Sequence, residues 1–553
     1  MVSKVTGALV CGIEGQLVEV ETDVSGGLPQ VGIVGLPDGA VREATDRVRA
    51  AIKNSGYRFP QGRVTVNLAP ADLRKEGSSF DLAIAVGILL ADGQWDAAEL
   101  DAGLYIGELA LDGAVRPVSG VLSMALAARE RGIRAVAVPA ANAEEARLVS
   151  GLTVIPLRHL REVLPRHRGE AACARRPDGR LSGGAADFSA GPGGGNGAGV
   201  DGGDGGSGGA GPGDFATGEQ TRRPPDYADV LGQAHAKRAL MIAAAGMHNV
   251  LLVGPPGSGK TMLMRRLPSI LPPLTDSEAL EVMKIYSVAG QYRPGGGLWR
   301  RRPFRAPHHT VSHAGLLGGG AVPKPGEASL AHRGVLFLDE LPEFARHVLE
   351  ALRQPLEDRF VTIARARTTV RFPTHFLLAA AMNPCPCGFG GIGGDSPDGR
   401  CTCTPLMKAR YLRKLSGPLL DRIDLVTEVP AIDVEQLARR TGPAAGPDSA
   451  AMRERVIRAH AIQRERYKKT GILFNGELSG SDLVRYAPLS KEAGRLLQNA
   501  FRHLSLSVRA YERIVKMART IADLAGSERI ETEHAAEAVQ YRIMDRPQAG
   551  TSG

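Results

Sequence analysis

One eight-residue stretch constrains this chain more than any other: Gly254-Pro255-Pro256-Gly257-Ser258-Gly259-Lys260-Thr261. It satisfies G-x-x-x-x-G-K-[ST] at every fixed position, after an apolar run (Asn249 to Val253) and before MLMRRL, which favours a helix. A strand, a glycine-rich turn and a helix in that order suit a polyphosphate. The glycines let backbone N–H groups turn inward, and the helix start carries partial positive charge. Lys260 is placed for the outer phosphates, and the Thr261 hydroxyl for Mg²⁺.

A phosphate loop calls for acidic and polar groups on neighbouring strands. Val335 to Leu338 is a buried-strand pattern ending in Asp339 and Glu340, at the carboxyl edge where parallel sheets bind ligands. Asp339 suits Mg²⁺ and Glu340 the attacking water. The next strand, His375 to Met382, ends in Asn383, a side chain able to orient that water. Leu419 to Asp424 carries Arg422, which reads either as an arginine supplied across a subunit boundary or as half of an ion pair with Asp421 or Asp424.

Composition bounds the rest. With 553 residues the chain holds several domains, and 43% hydrophobic with 23% charged residues is ordinary for globular proteins. The longest apolar run, Phe80 to Ala91, is too short to span a bilayer and contains Asp81. Glu14 interrupts the N-terminus before a signal core forms, so no membrane association and a cytoplasmic location are expected. Six cysteines are too few for a disulfide framework, and four cluster: Cys385, Cys387, Cys401 and Cys403. Four thiolates in two close pairs can close a tetrahedral Zn²⁺ site; reduced, unliganded thiols are the alternative. A net charge of +9 is compatible with a polyanion partner.

From residue 1 to 168, strand patterns (Gln16 to Glu21, Arg63 to Leu68, Ile133 to Pro139) mix with helical ones (Asp38 to Lys53, Ser79 to Leu90, Val121 to Arg131). Leu109 to Ala146 resembles the end of the Lon protease catalytic domain, which has a ribosomal-S5-like fold. That resemblance aligns Ser79 with the Lon nucleophile, but Leu122 and Met124 stand where its lysine belongs. A serine without a base is a poor nucleophile, so a non-proteolytic domain is expected, with Ser79 a turn or cap residue. Residues 169 to 223 are Gly-rich and read as a flexible linker, with Cys173 incidental.

Two insertions are basic. Arg300 to His313 combines Arg300, Arg301, Arg302, Arg305, His308, His309 and His313 with Trp299 and Phe304 beside them. This suits a phosphate backbone with stacked bases; a loop packed on its own domain is the competing reading. Phe360 to Phe372 alternates like a hairpin and carries Arg365, Arg367 and Arg371; a solvated basic face is the competing reading. C-terminally, Asp433 to Arg440 and the basic stretch Met452 to Lys469 look helical. Val508 onward repeats apolar residues at helical spacing, with Ser505 or Ser507 as cap and Arg509 in the first turn. The tail after Arg546 reads as frayed.

Together these segments resemble AAA+ ATPases of the helix-2-insert group, specifically the Mg-chelatase-like ComM/YifB family. The matching stretches include Arg302 to Thr310, Leu317 to Gly320, Pro325 to His332, Asn383 to Gly388 and Ser416 to Asp424. The resemblance implies an α/β chain: an S5-domain-2-like α+β domain (1–168), the linker (169–223), an AAA+ P-loop parallel-sheet domain (224–430) and a C-terminal helical lid (431–553). It implies ATP and Mg²⁺, a hexameric ring, Asn383 as sensor 1, Arg509 as sensor 2 and Arg422 as a finger acting in trans. The hairpin corresponds to a pore hairpin. DNA is the implied partner, in a helicase or branch-migration engine of recombination or transformation. The rival is a chelatase-type motor that remodels a partner protein for metal insertion.

Overall fold

The computed structural model describes residues 2–168, 225–320, 322–365, 368–390, 399–431, 446–504 and 506–542. The expected linker, Cys173, Arg367, the helix at Asp433 to Arg440, Ser505 and the tail lie outside these residues. The chain divides into two units, residues 1–208 with 287–296 and residues 209–286 with 297–553.

In the first unit, strands β1 (Val2–Cys11), β2 (Glu14–Ser25), β3 (Gln30–Val34) and β4 (Arg63–Ala69) form a sheet in the order β1-β2-β4-β3. Only the β3–β4 pair is parallel. That parallel pair requires a crossover, which the helix Gly39–Asn54 supplies, capped by Asp38 accepting from the Val41 N–H. A second sheet orders β5 (Leu104–Tyr105), β8 (Ala135–Pro139) and β9 (Thr153–Leu157) in parallel, and a short antiparallel pair joins β6 (Glu108–Leu109) to β7 (Val115–Arg116).

The apolar run flagged in the sequence is the helix Asp81–Ala91, buried along nearly its whole length against β1 and β2. Its eleven residues span about 16 Å, roughly half a bilayer core. No helix among the described residues is long and apolar enough to cross a membrane. Asp81 enters this core paired to Arg47 at 2.9 and 3.1 Å. Burial still lifts its carboxyl to about 6, because desolvation outweighs the guanidinium.

The second unit is built on a five-stranded parallel sheet in the order β11-β14-β17-β10-β18. Its strands are β10 (Val250–Val253), β11 (Phe304–Arg305), β14 (Val335–Leu338), β17 (Leu377–Met382) and β18 (Leu425–Glu428). Short β12 (Gly318–Gly319) and β13 (Lys324–Pro325) pair outside it, and β15 (Phe360–Arg365) with β16 (Thr368–Pro373) makes the expected hairpin. The three middle strands β14, β17 and β10 are apolar at every position and fully buried, as a sheet covered on both faces requires. One apolar core runs from Leu252, Phe337 and Ala379 to Ile514, Met517 and Ala518 on the helix Val508–Ala525, so C-terminal helices pack within the same unit as the sheet.

Candidate nucleotide site

Strand order decides what the site contains. Because β10 lies beside β17, and β17 beside β14, the phosphate loop, Asn383 and the Asp339–Glu340 pair leave neighbouring strands at one edge of the sheet. Gly257 and Gly259 adopt φ of +77° and +88°. A Cβ on Gly257 would meet nothing within 4 Å, so this cradle is uncrowded at its glycine turn. Gly254 is tied down from behind: a Cβ there would lie 2.2 Å from the Val429 carbonyl oxygen.

The side chains converge on that cradle. Lys260 Nζ donates to the carbonyls of Gly254 and Pro255, both at 2.8 Å, and to Asn383 Oδ1 at 3.2 Å. Burial lowers the Lys260 pKa, opposed by Asp339 and Glu340. Thr261 Oγ1 donates to Asp339 Oδ2 at 2.6 Å, which brings the two expected Mg²⁺ ligands to one point. The Ser258 hydroxyl is buried without a hydrogen-bond partner. A buried orphan hydroxyl, an open glycine cradle and a lysine at its mouth fit a nucleoside polyphosphate and its Mg²⁺. Thr261 and Asp339 would hold the ion, which neutralises charge on the phosphates. Glu340 departs from the strand with φ of +51°, costly for a residue with a Cβ, and its exposed carboxylate lies near enough to Lys260 to oppose the lowering of that amine's pKa.

Arg422 and Arg509 lie apart from this constellation. Sequence reasoning left Arg422 open to an ion pair with Asp421 or Asp424; its carboxylate partner is instead Glu357, 65 residues away. Asp421 faces Arg513 at 3.3 Å, and Asp424 faces His248 and Lys516. Arg509 is in the first turn of the helix Val508–Ala525, capped by Ser507, and its exposed guanidinium comes 3.9 Å from Asp421. Arg513 was missed, although it follows Arg509 by one helical turn. Asn249 was missed too: it precedes β10, donates to the Arg422 carbonyl at 2.8 Å and accepts from the Leu378 N–H at 2.9 Å.

The basic insertion needs correction. Arg302 is buried, paired with Glu278 at 3.1 Å and donating to the carbonyls of Pro272 and Arg333. Arg305 is buried in a two-pronged pair with Glu327 at 2.6 and 2.7 Å. Trp299 packs edge-on to Tyr286, and Phe304 stacks on Phe337. These groups pack on their own domain, the competing reading, and the cations Arg302 and Arg305 already have their carboxylates. Arg301, His308 and His313 remain exposed, and His309 Nδ1 lies 3.8 Å from the Glu340 carboxylate. On the hairpin, Arg365 and Arg371 are exposed, the latter over the Phe360 ring.

The four cysteines do come together. Their Sγ atoms lie within 4.8 Å of one another, with Cys385–Cys387 at 3.3 Å, Cys387–Cys401 at 3.6 Å and Cys385–Cys401 at 3.8 Å. Sulfurs about 2.3 Å from a tetrahedral zinc are about 3.8 Å apart, so the set fits that ion. The Phe389 N–H is the main cause holding Cys387 down at about 6. Gly388, with φ of +87°, lies against the phosphate loop: a Cβ on it would come 2.6 Å from Pro256 Cδ.

A central strand feeding a phosphate loop, flanked by an acidic strand end and a polar one, defines a P-loop ATPase of the AAA+ type. The family described as magnesium chelatase, subunit ChlI, matches residues 226–437; the ChlI subunit family matches 20–142, and the ChlI C-terminal family 446–542. The chain is 44% identical over 536 residues to "Competence protein ComM" of Haemophilus influenzae, covering 97% of this chain and 96% of that protein. It is 42% identical over 539 residues to YifB of Salmonella typhimurium, an uncharacterised protein, again 97% and 96%. The 38 kDa magnesium-chelatase subunit of Rhodobacter capsulatus is 26% identical over 188 residues, 31% of this chain and 53% of that subunit. The chain belongs to the ComM/YifB family of Mg-chelatase-like AAA+ ATPases.

Proposed function

We propose that this chain hydrolyses ATP to drive a hexameric ring along DNA, as a helicase or branch-migration engine in recombination or the integration of transforming DNA. The observation that carries the reading is the β15–β16 hairpin. It is inserted between β14, which ends in Asp339 and Glu340, and β17, which ends in Asn383. A hairpin rooted between two strands of the hydrolytic site is placed to move with the chemistry, and its exposed Arg365 and Arg371 suit a phosphate backbone. The exposed Arg453, Arg455, Arg458 and Arg464 on the helix Ser449–Tyr467 add positive surface in the same unit. A relative named as a competence protein points the same way.

Within the motor, Lys260 holds the phosphates, Thr261 and Asp339 would hold the Mg²⁺ that neutralises their charge, Glu340 takes a proton from the attacking water, and Asn383 orients that water. Arg509 approaches the nucleotide from its own subunit, and Arg422 acts on a neighbour's. The four cysteines hold a structural zinc that fixes the segment following Asn383 against the phosphate loop.

The deciding experiment measures ATPase and strand displacement with four-way DNA, single-stranded DNA and no nucleic acid. Stimulation by branched DNA with displacement is expected. Turnover that ignores all DNA and responds only to a protein partner would overturn the reading in favour of the chelatase-type motor whose name the family descriptions carry. Metal analysis of the same preparation should give about one zinc per chain; metal-free protein with four free thiols would remove the zinc.

A further inference from the structure

Arg422 is committed within its own chain. Its guanidinium donates to the Glu357 carboxylate and to the Pro418 carbonyl, and its Nε is buried without a partner. Only 11% of the side chain is exposed, against 55% for Glu357. A guanidinium engages a carboxylate or a phosphate through the same fork of donors, so Glu357 occupies Arg422 in the way a phosphate would.

Glu357 sits in the last turn of the helix Arg353–Asp358, and that helix runs directly into the hairpin. Arg359 makes the junction with φ of +61°. Its carbonyl accepts from the Thr374 N–H at 2.7 Å, so the two roots of the hairpin are tied together there. Its guanidinium pairs with Glu477 at 3.0 Å, which also meets His375 at 3.2 Å. Glu357, Arg422 and the hairpin's Arg365 line one cavity of about 670 Å³, so the hairpin and the Arg422–Glu357 pair have open space to move into.

We propose that Glu357 is a positioning residue for Arg422. It holds the arginine against its own subunit, and load on the hairpin, passed through Arg359, sets whether Arg422 is held or released towards a neighbour's nucleotide. This rests on the reading of Arg422 as an arginine acting in trans. It makes DNA stimulation a competition between one carboxylate and one phosphate for the same guanidinium.

The test uses the full-length chain, with ATPase measured without nucleic acid and with saturating single-stranded DNA. Assembly is followed by light scattering. Glu357→Gln should raise the DNA-free rate about tenfold, the factor that one charged hydrogen bond corresponds to, and narrow the gap to the DNA-bound rate with KM for ATP unchanged. Glu357→Asp, which keeps the charge and shortens the reach, should fall between the two. A merely structural role would lower both rates together and leave their ratio alone, which overturns the proposal. Should Glu357→Gln not assemble, the ratio in Glu357→Asp decides: an unchanged ratio also overturns it. Arg422→Ala with wild-type turnover would sink the trans-arginine reading beneath it. Arg422→Ala inactive, with Glu357→Gln unchanged in both rates, would sink the Glu357 hold alone.

Discussion

Both units carry a lysine and a serine at the approach to a helix or in its first turn, and they put them to opposite uses. In the first unit Ser79 Oγ is buried and donates to the Ala8 carbonyl at 2.9 Å, and the fully buried Lys75 donates to the Pro70 carbonyl. The positions where a Lon-like lysine belongs hold Leu122 and Met124, both buried in the helix Val121–Glu130. In the second unit Lys260 faces Asn383 across an open cradle, and the Ser258 hydroxyl has no partner there. A hydroxyl spent on a main-chain carbonyl serves the fold. One left without a partner beside an open glycine turn is available to a ligand. Residue type does not separate the two loops; convergence does.

The contrast breaks most visibly at Glu340. Glu340→Gln should leave ATP bound and cut kcat by about 10²–10⁴, the range expected when a general base is removed. Undiminished hydrolysis would take Glu340 out of the chemistry.

Next in size is a pH effect on a group spent on the fold. His460 is buried and directs Nε2 at the Ala244 carbonyl, and burial lowers its pKa from 6.5 to about 4. The folded value lies below the unfolded one, so the unfolded chain takes up the proton first as pH falls. Stability of the second unit should therefore be complete above pH 6.5 and decline towards pH 4, by up to about 3 kcal/mol. Denaturant melts across that window measure it. His460→Gln, which keeps a donor for the carbonyl as Gln463 does for Ala245 one turn on, should flatten the decline.

Smaller still is the difference between the two sets of arginines. Arg365→Ala with Arg371→Ala should weaken DNA binding several-fold and reduce the salt slope by about two, with melting unchanged. Arg302→Ala or Arg305→Ala should lower stability by roughly 1–3 kcal/mol, since each leaves a half-buried carboxylate without its cation. Equal effects of both sets on DNA affinity would erase the distinction. Smallest is Ser79→Ala: ATPase should not change, and a serine-directed phosphonate should label neither form. Labelling of Ser79 would return the first unit to the peptidases.

How much of this was legible follows from distance along the chain. The phosphate loop, the Asp339–Glu340 strand end, Asn383, the hairpin and the Ser507 cap are written within short windows where spacing carries the meaning. Helical and strand periodicity likewise placed Gly39–Asn54 and Asp81–Ala91 to within two residues at either end. The fates of Arg302, Arg305 and Arg422 were not legible. Glu278, Glu327 and Glu357 are 24, 22 and 65 residues from their arginines, and only the tertiary fold brings each pair together. A run of basic residues looks the same in sequence whether its partners are carboxylates of the same domain or phosphates from outside.

Asn249 gives the sheet a fixed datum. Its amide ties the β17 backbone at Leu378 to the Arg422 carbonyl, while its own main chain is bonded to Asp424 and Leu425. Three strands are thus levelled at one end by a single residue, and the phosphate loop, Asn383 and Arg422 are all set out from it. Asn249→Asp would preserve the shape but exchange the donor for an acceptor facing a carbonyl, next to the Asp424 carboxylate. The register of these three strands therefore depends on a residue that touches no phosphate.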